Sequence, residues 1–283
     1  MPARRHPTAR QMRLGIELRR LREAAGLKAT EAANLLGTTS VQISQIESGI
    51  AGVSEQRVRR LAANYACEEA ELIDALSAMA TDRTRGWWEE YRGQLPTPFL
   101  DLAELEHHST YRSDAEFMII PGLLQTEDYA RAVFSSRVPG LPEEELDLRV
   151  RHRMQRKIIL LGSAPTAYQV VIHEAALRIR VGDRATSRAQ LAWLLELSEA
   201  DHITVRVIPF ELDGFGGNWN AMMLAGGALP RLDTGTRDAP DGVGFIDSEA
   251  QLHVLRTLFR KLEGMSIDAT HSRDLIHALS REL

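Results

Sequence analysis

Apolar residues recur at helical spacing through the first eighty positions. Between Gln11 and Ala25 the residues Leu14, Leu18, Leu21 and Ala25 share one face, while Arg13, Arg19, Arg20 and Arg22 occupy others. Gly26 and Leu27 interrupt the pattern. Thr30 and Glu31 then open a short helix to Leu36, in which Ala33 is small enough for a close helix crossing. Gly37 ends that helix with the positive φ that glycine enters cheaply, and Thr38, Thr39 and Ser40 make a turn that caps the next one. Ile43 and Ile46 predict an inward face for this third helix, and Gly49 closes it. Ser54 caps a fourth helix carrying Val58, Leu61, Ala62 and Tyr65. Glu68 opens a fifth with Leu72, Ile73, Leu76 and Met79.

The pattern then changes. Residues 81–86 are polar, and Leu95-Pro96-Thr97-Pro98 must be extended, so residues 81–98 read as a linker between domains at 1–80 and 99–283. Beyond it, helices alternate with strands. Residues 99–110 predict a helix, and 116–120 a short apolar strand or turn ending at Pro121-Gly122. Thr126 caps a further helix with Glu127 and Asp128 in its first turn. From Pro142 a long helix places Val150, Met154, Ile158 and Leu161 on one face and Arg149, Arg151, Arg153, Arg156 and Lys157 elsewhere. Its acidic start and basic finish suit the helix dipole, which gives the arginine run a structural explanation. Short β-branched strands at 168–172, 203–208, 220–224 and 243–246 are interleaved with helices at 186–198 and 248–262, and a last helix follows Ser266. The expected fold is mainly α, a five-helix domain followed by an α/β domain with a small mixed sheet, in which a parallel pair is possible.

Residues 37–49, GTTSVQISQIESG, have the layout of the second half of a helix-turn-helix. With Ile43 and Ile46 turned inward, Thr39, Ser40, Val41, Gln42, Ser44 and Gln45 are left to approach base edges and phosphates. Charge distribution agrees. Residues 1–30 hold eight Arg or Lys against Glu17 and Glu23, a net of +6, whereas the whole chain is −5. Arg10, Arg13 and Lys28 are the expected phosphate contacts. The polar arm before Arg10 is either a solvated tail or a minor-groove arm.

Over residues 11–80 the chain resembles the five-helix, lambda-repressor-like domain of XRE-type regulators. The resemblance rests on GTTSVQISQIESG, Ala33 and the Leu61-Ala62 pair. It implies a sequence-specific regulator bound to double-stranded DNA. Where that family commonly opens its second helix with a polar pair that includes a phosphate-binding glutamine, this chain has Lys28 and Ala29, and Lys28 stands as a point-charge substitute. Residues 85–280 resemble a second family through IPGLLQTEDYARAVF, RVRHRMQRKIIL, HEAALRIRVG and VRVIPF. This is the domain of unknown function found behind XRE helix-turn-helices in filamentous high-GC bacteria, and it implies an antitoxin-like regulator with a small protein partner. His173 departs from it, since the family usually has an acidic residue before Glu174.

Catalysis finds little support in the pattern. No histidine follows His173-Glu174 at metalloprotease spacing, residues 214–217 lack the Lys-Ser/Thr of a phosphate loop, and no nucleophile elbow is present. His107-His108 and His271 with His277 are not spaced as one metal shell, and Cys67 is the single cysteine. No active site and no cofactor are expected, which disfavours a DNA-tethered enzyme. The basic N-terminus lacks the apolar core of a signal peptide and no run matches a membrane span, so the expected location is cytoplasmic. Trp87, Trp88, Phe215 and Trp219, with the Gly-rich 214–217 rim, are candidates for a small-molecule or partner site; the plainer alternative is that these rings fill the core or dock the domains. One short recognition helix reads few base pairs, so a homodimer joined through residues 81–283 is expected.

Overall fold

Thr8 starts the first helix by taking the Gln11 N–H on its Oγ1 at 3.2 Å, while the Gln11 side chain takes the Thr8 N–H at 3.0 Å. This reciprocal cap satisfies two donors that a helix start leaves open. The structure, a computed structural model, describes residues 7–216, 220–239 and 242–283. The chain divides into two units, Met1–Trp87 and Trp88–Leu283.

The first unit contains α1 (Ala9–Ala24), α2 (Ala29–Leu36), α3 (Ser40–Glu47), α4 (Glu55–Asn64) and α5 (Ala70–Thr81). Helix α1 packs against α3, α4 and α5. The core is built from the periodic apolar positions: Leu14, Leu18, Leu21, Ile43, Ile46, Val58, Leu61, Leu72 and Leu76 are all buried. Two glycines let α1 lie directly on the end of α3. A Cβ added at Gly15 would sit 2.4 Å from the Glu47 carbonyl oxygen, and one at Gly49 would sit 2.8 Å from the Gln11 backbone. Behind α4 the chain turns through Ala66, whose φ of 53° is the left-handed conformation normally left to glycine.

A short 3₁₀ turn at Trp87–Tyr91 spans the boundary, and α6 (Thr97–His107) follows in the second unit. Then follow β1 (Tyr111–Glu116), α7 (Glu127–Ser135), α8 (Glu143–Arg156), α9 (Ile158–Leu161), β2 (Ala167–His173), α10 (Glu174–Arg178), α11 (Arg184–Leu197) and β3 (Ile203–Ile208). The unit closes with β4 (Met222–Gly226), β5 (Thr234–Ala239), β6 (Gly242–Ile246), α12 (Glu249–Met265) and α13 (Ala269–Glu282). The six strands form one mixed sheet in the order β3-β2-β1-β4-β5-β6. β1, β2 and β3 run parallel; β4, β5 and β6 continue antiparallel. Tyr168, Val170 and Ile172 of β2, with Val205 and Val207 of β3, pack on one face beneath Leu191 and Leu194 of α11 and Ile276 and Leu279 of α13. Val171, Ile208, Met222 and Leu224 face the other way, beneath Leu252, Phe259 and Leu262 of α12. Burial on both faces is why β2 reads as an almost continuous apolar run.

The sequence expectations differ from this architecture in three places. The first strand is β1 at Tyr111–Glu116, not residues 116–120. Its charged residues are accommodated by a buried cluster: Arg112 donates to both oxygens of Asp114 at 2.8 Å and to Glu106, Arg156 donates to Glu106 at 2.8 and 2.5 Å, and the Tyr168 hydroxyl donates to Asp114 at 2.6 Å. Burial alone would raise the Glu106 carboxyl, but Arg156 and Arg112 outweigh it and hold it below the usual range. Second, the long helix after Pro142 breaks at Lys157, which shifts the apolar register: Ile159 and Leu160 are buried while Ile158 and Leu161 are exposed. Third, α10 and β5 were not foreseen, and β4 begins at Met222 rather than residue 220.

Candidate nucleic-acid interface

The turn between α2 and α3 follows from its residues. Gly37 takes φ 73° and ψ 42°, ending α2, and Thr38 N–H returns to the Ala33 carbonyl at 2.9 Å. Thr39 caps α3, its Oγ1 accepting the Gln42 N–H at 3.2 Å. Ala32 and Ala33 are buried in the crossing. The far end of α3 is fixed by an ion pair that sequence reasoning missed. Arg22 of α1 donates from Nε and Nη2 to the two oxygens of Glu47 at 2.6 and 2.9 Å and from Nη1 to the Leu27 carbonyl at 2.7 Å. This fork holds α3 to α1 in one orientation. Tyr65 shares this surrounding; burial and then the Glu47 charge push its hydroxyl up to about 12. The signal in the sequence was Gly15, an isolated glycine inside a strongly periodic helix, which marks a close backbone approach.

The outer edge of α3 presents Val41 at 64% exposure beside exposed Ser44 and Gln45. Thr39 is exposed, and Ser40 and Gln42 are half-buried, with the Gln42 carboxamide oxygen accepting from the Thr38 hydroxyl at 3.1 Å. Apart from Glu47, held by Arg22, the helix carries no charge. Its outer edge is therefore neutral and polar, which suits hydrogen bonding to base edges and does not repel phosphate.

Several cations of the N-terminal segment are engaged by carboxylates of the same unit. Arg13 is only 6% exposed and pairs with Glu17 at 3.2 Å, so it is not presented to phosphate. Glu17 also takes Arg20 at 2.5 Å, Arg19 pairs with Glu23, and Arg10 lies 3.7 Å from Asp82. Lys28, exposed at the start of α2, makes no ion pair among the described residues. Arg4, Arg5 and the rest of the 1–6 arm lie outside the described residues.

In the second unit Trp88 and Phe215 make different ring contacts. Trp88 is buried at 2% exposure against His107 and His108, with ring centroids 5.0 and 6.5 Å away, and Trp87 is half-buried at the end of the first unit. Trp88 is therefore a core residue, placed there by the packing of the 3₁₀ turn on α6. Phe215 stacks on His173 at 4.8 Å and lies 6.2 Å from Phe117, over the apolar face beneath α12. Trp219 and Gly217 lie outside the described residues. Among the described residues no group of three His, Cys, Asp or Glu could hold a metal, and no helix is long and apolar enough to cross a membrane.

Comparison with known proteins agrees with this division. Residues 13–76 match a helix-turn-helix domain, the segment spanning α1 to most of α5. Neither a curated protein nor a solved structure matches the chain. Residues 99–278, well over half of the chain and nearly the whole sheet-bearing unit, match the domain of unknown function DUF5753. A helix-turn-helix suited to DNA thus precedes this domain, and the chain belongs to the DUF5753 family.

Proposed function

We propose that the protein is a sequence-specific transcriptional regulator that binds double-stranded DNA through α3 as a homodimer and responds to a signal through its second unit. The observation that carries this reading is the neutral, exposed edge of α3, with Ile43 and Ile46 anchored inward and both helix ends fixed by Thr39 and the Arg22–Glu47 fork. Ser44, Gln45 and the free part of Gln42 read base edges; Lys28 holds phosphate. Two copies are required because an eight-residue helix addresses only a few base pairs, and paired half-sites lie about 34 Å apart, one turn of the duplex. We read the second unit as a binding module.

Selection from a random duplex pool with the full chain should enrich a two-fold-symmetric site, and light scattering should give twice the chain mass. On that site Gln45→Ala should change base preference by about 1–3 kcal/mol at one position, whereas Lys28→Ala should weaken all sequences alike and lower the salt slope by about one. Enrichment of no sequence, or unchanged binding by both variants, would refute the assignment.

A further inference from the structure

A cavity of about 120 Å³ opens between α6, α8 and the β1–β4 region of the sheet. Three arginines line it, but they are not equivalent. Arg112 and Arg156 are neutralised by Asp114 and Glu106. Among the described residues Arg153 forms no ion pair, and Glu116 and Glu106 act on its charge only through space. Its Nη1 donates to Gln125 Oε1 at 2.7 Å, and its guanidinium lies 4.2 Å from the Phe134 ring centroid. The Nε edge of the guanidinium is buried without a hydrogen-bond partner. Such an edge is costly to leave unsatisfied. It faces Gly122, also on the cavity wall, where an added Cβ would lie 3.5 Å from Nε. A side chain at Gly122 would therefore occupy the space beside that edge.

We propose that this cavity binds the carboxylate of a small organic acid, gripped side-on by Nε and Nη2 of Arg153. The edge formed by these two nitrogens is the one that a planar carboxylate meets with two parallel hydrogen bonds. Glu116 on the same wall favours a single negative charge over the dianion of phosphate. The volume equals that of about four waters, which limits the acid to a few carbons, and Leu102, Ala221 and Met223 supply apolar contact for its short chain. Burial, with Arg156 adding to it, lowers the Arg153 guanidinium to about 9 against the opposing pull of Glu116 and Glu106, and a bound carboxylate acts in the same upward direction as those two. The site gives the sensing role proposed above a ligand class, and rests on that reading only for its regulatory consequence.

The test is calorimetric titration of the full chain with sodium acetate, propionate and lactate, and separately with inorganic phosphate, at matched ionic strength and without DNA. One saturable site per chain for at least one acid is expected, weakened about tenfold or more in Gly122→Ala and Arg153→Met. Gly122→Ala adds only ordinary van der Waals contact, so its melting temperature should stay near wild type, and it decides the matter alone if Arg153→Met does not fold. No saturable binding of any acid, unchanged binding in folded Gly122→Ala, or tighter binding of phosphate than of every acid overturns the proposal. Because no DNA is present, such a failure leaves the helix-turn-helix reading untouched, and failure of the operator selection leaves this site standing.

Discussion

Replacing Gly15 by alanine should destabilise the first unit, against the usual rule for helices. Gly15 lies inside α1, where alanine is the better helix former by about 0.8–1 kcal/mol. Yet the new Cβ would stand 2.4 Å from the Glu47 oxygen and 2.7 Å from both the Glu47 carbonyl carbon and the Ile46 oxygen. These are backbone atoms in the last turn of α3 and cannot rotate away, so one helix must shift. Overpacking of this kind costs typically about 1–3 kcal/mol, and three contacts this short place it at the upper end. The net loss is then roughly 1–2 kcal/mol, or about 5–15 °C in the melting of a unit this size. Gly264, near the end of α12, is the control, since an added Cβ there meets nothing within 4 Å. Gly264→Ala should be neutral or stabilising by up to about 1 kcal/mol. Thermal denaturation of the full chain followed by far-ultraviolet circular dichroism measures both. Because α1 sets the position of α3, Gly15→Ala should also weaken operator binding without touching DNA. A Gly15→Ala protein that melts at or above wild type refutes the close-approach argument.

Three further outcomes can be checked. Glu47→Gln leaves the Arg22 guanidinium with only the more distant Glu23 as a charge partner, and the loss of one member of a buried pair should cost up to about 3–5 kcal/mol in urea unfolding, less to the extent that Glu23 compensates and the amide still accepts one bond. Ala66→Gly relieves a left-handed residue at the end of α4 and should raise the stability of the first unit by about 0.5–1 kcal/mol, the relief being partly offset by glycine's greater freedom in the unfolded chain. Burial, then the charge of Arg156, lowers the pKa of His152 to about 3. The unfolded chain therefore takes up a proton there first as pH falls. Stability is complete above about pH 6.5 and declines toward pH 3 by up to ~1.4 kcal/mol per unit, with Glu106, also lowered, adding in the same direction at the acid end. His152→Gln should flatten the slope between pH 6.5 and 5 in chemical denaturation.

The helices of the first unit were legible because each carries its own punctuation. Thr39 and Ser54 cap, Gly37 and Gly49 terminate, and Ile43 and Ile46 point inward by spacing alone. What spacing could not show was which arginines remain available. Arg13 and Arg22 look like surface cations in a basic helix, but Glu17 and Glu47 draw them inward, and the Arg22 pairing crosses 25 positions of chain. The same blindness displaced β1. A strand reading YRSDAE offers no apolar alternation, because its burial depends on Glu106, Arg156 and Tyr168 arriving from other elements. β3, whose sides are both apolar or half-buried, was placed at residues 203–208 from sequence alone. Arg153 drew notice only as one of a run of arginines. Its distinction lies in what does not pair with it, which no local pattern encodes.

The position of β1 at the middle of the sheet bears on how the chain is made. Synthesis proceeds from the N-terminus, and the helices of the first unit, whose packing partners lie within the first 81 residues, can close before the sheet exists. β1 emerges early, yet Tyr111 must wait for Ala167 on one side and Gly226 on the other. A waiting strand with unpaired edges invites pairing between nascent chains. Arg112, Ser113, Asp114 and Glu116 make this one hydrated and poorly suited to self-association until its partners appear. The charges that disguise β1 as a surface segment thus keep a central strand soluble through the longest delay in the unit's assembly.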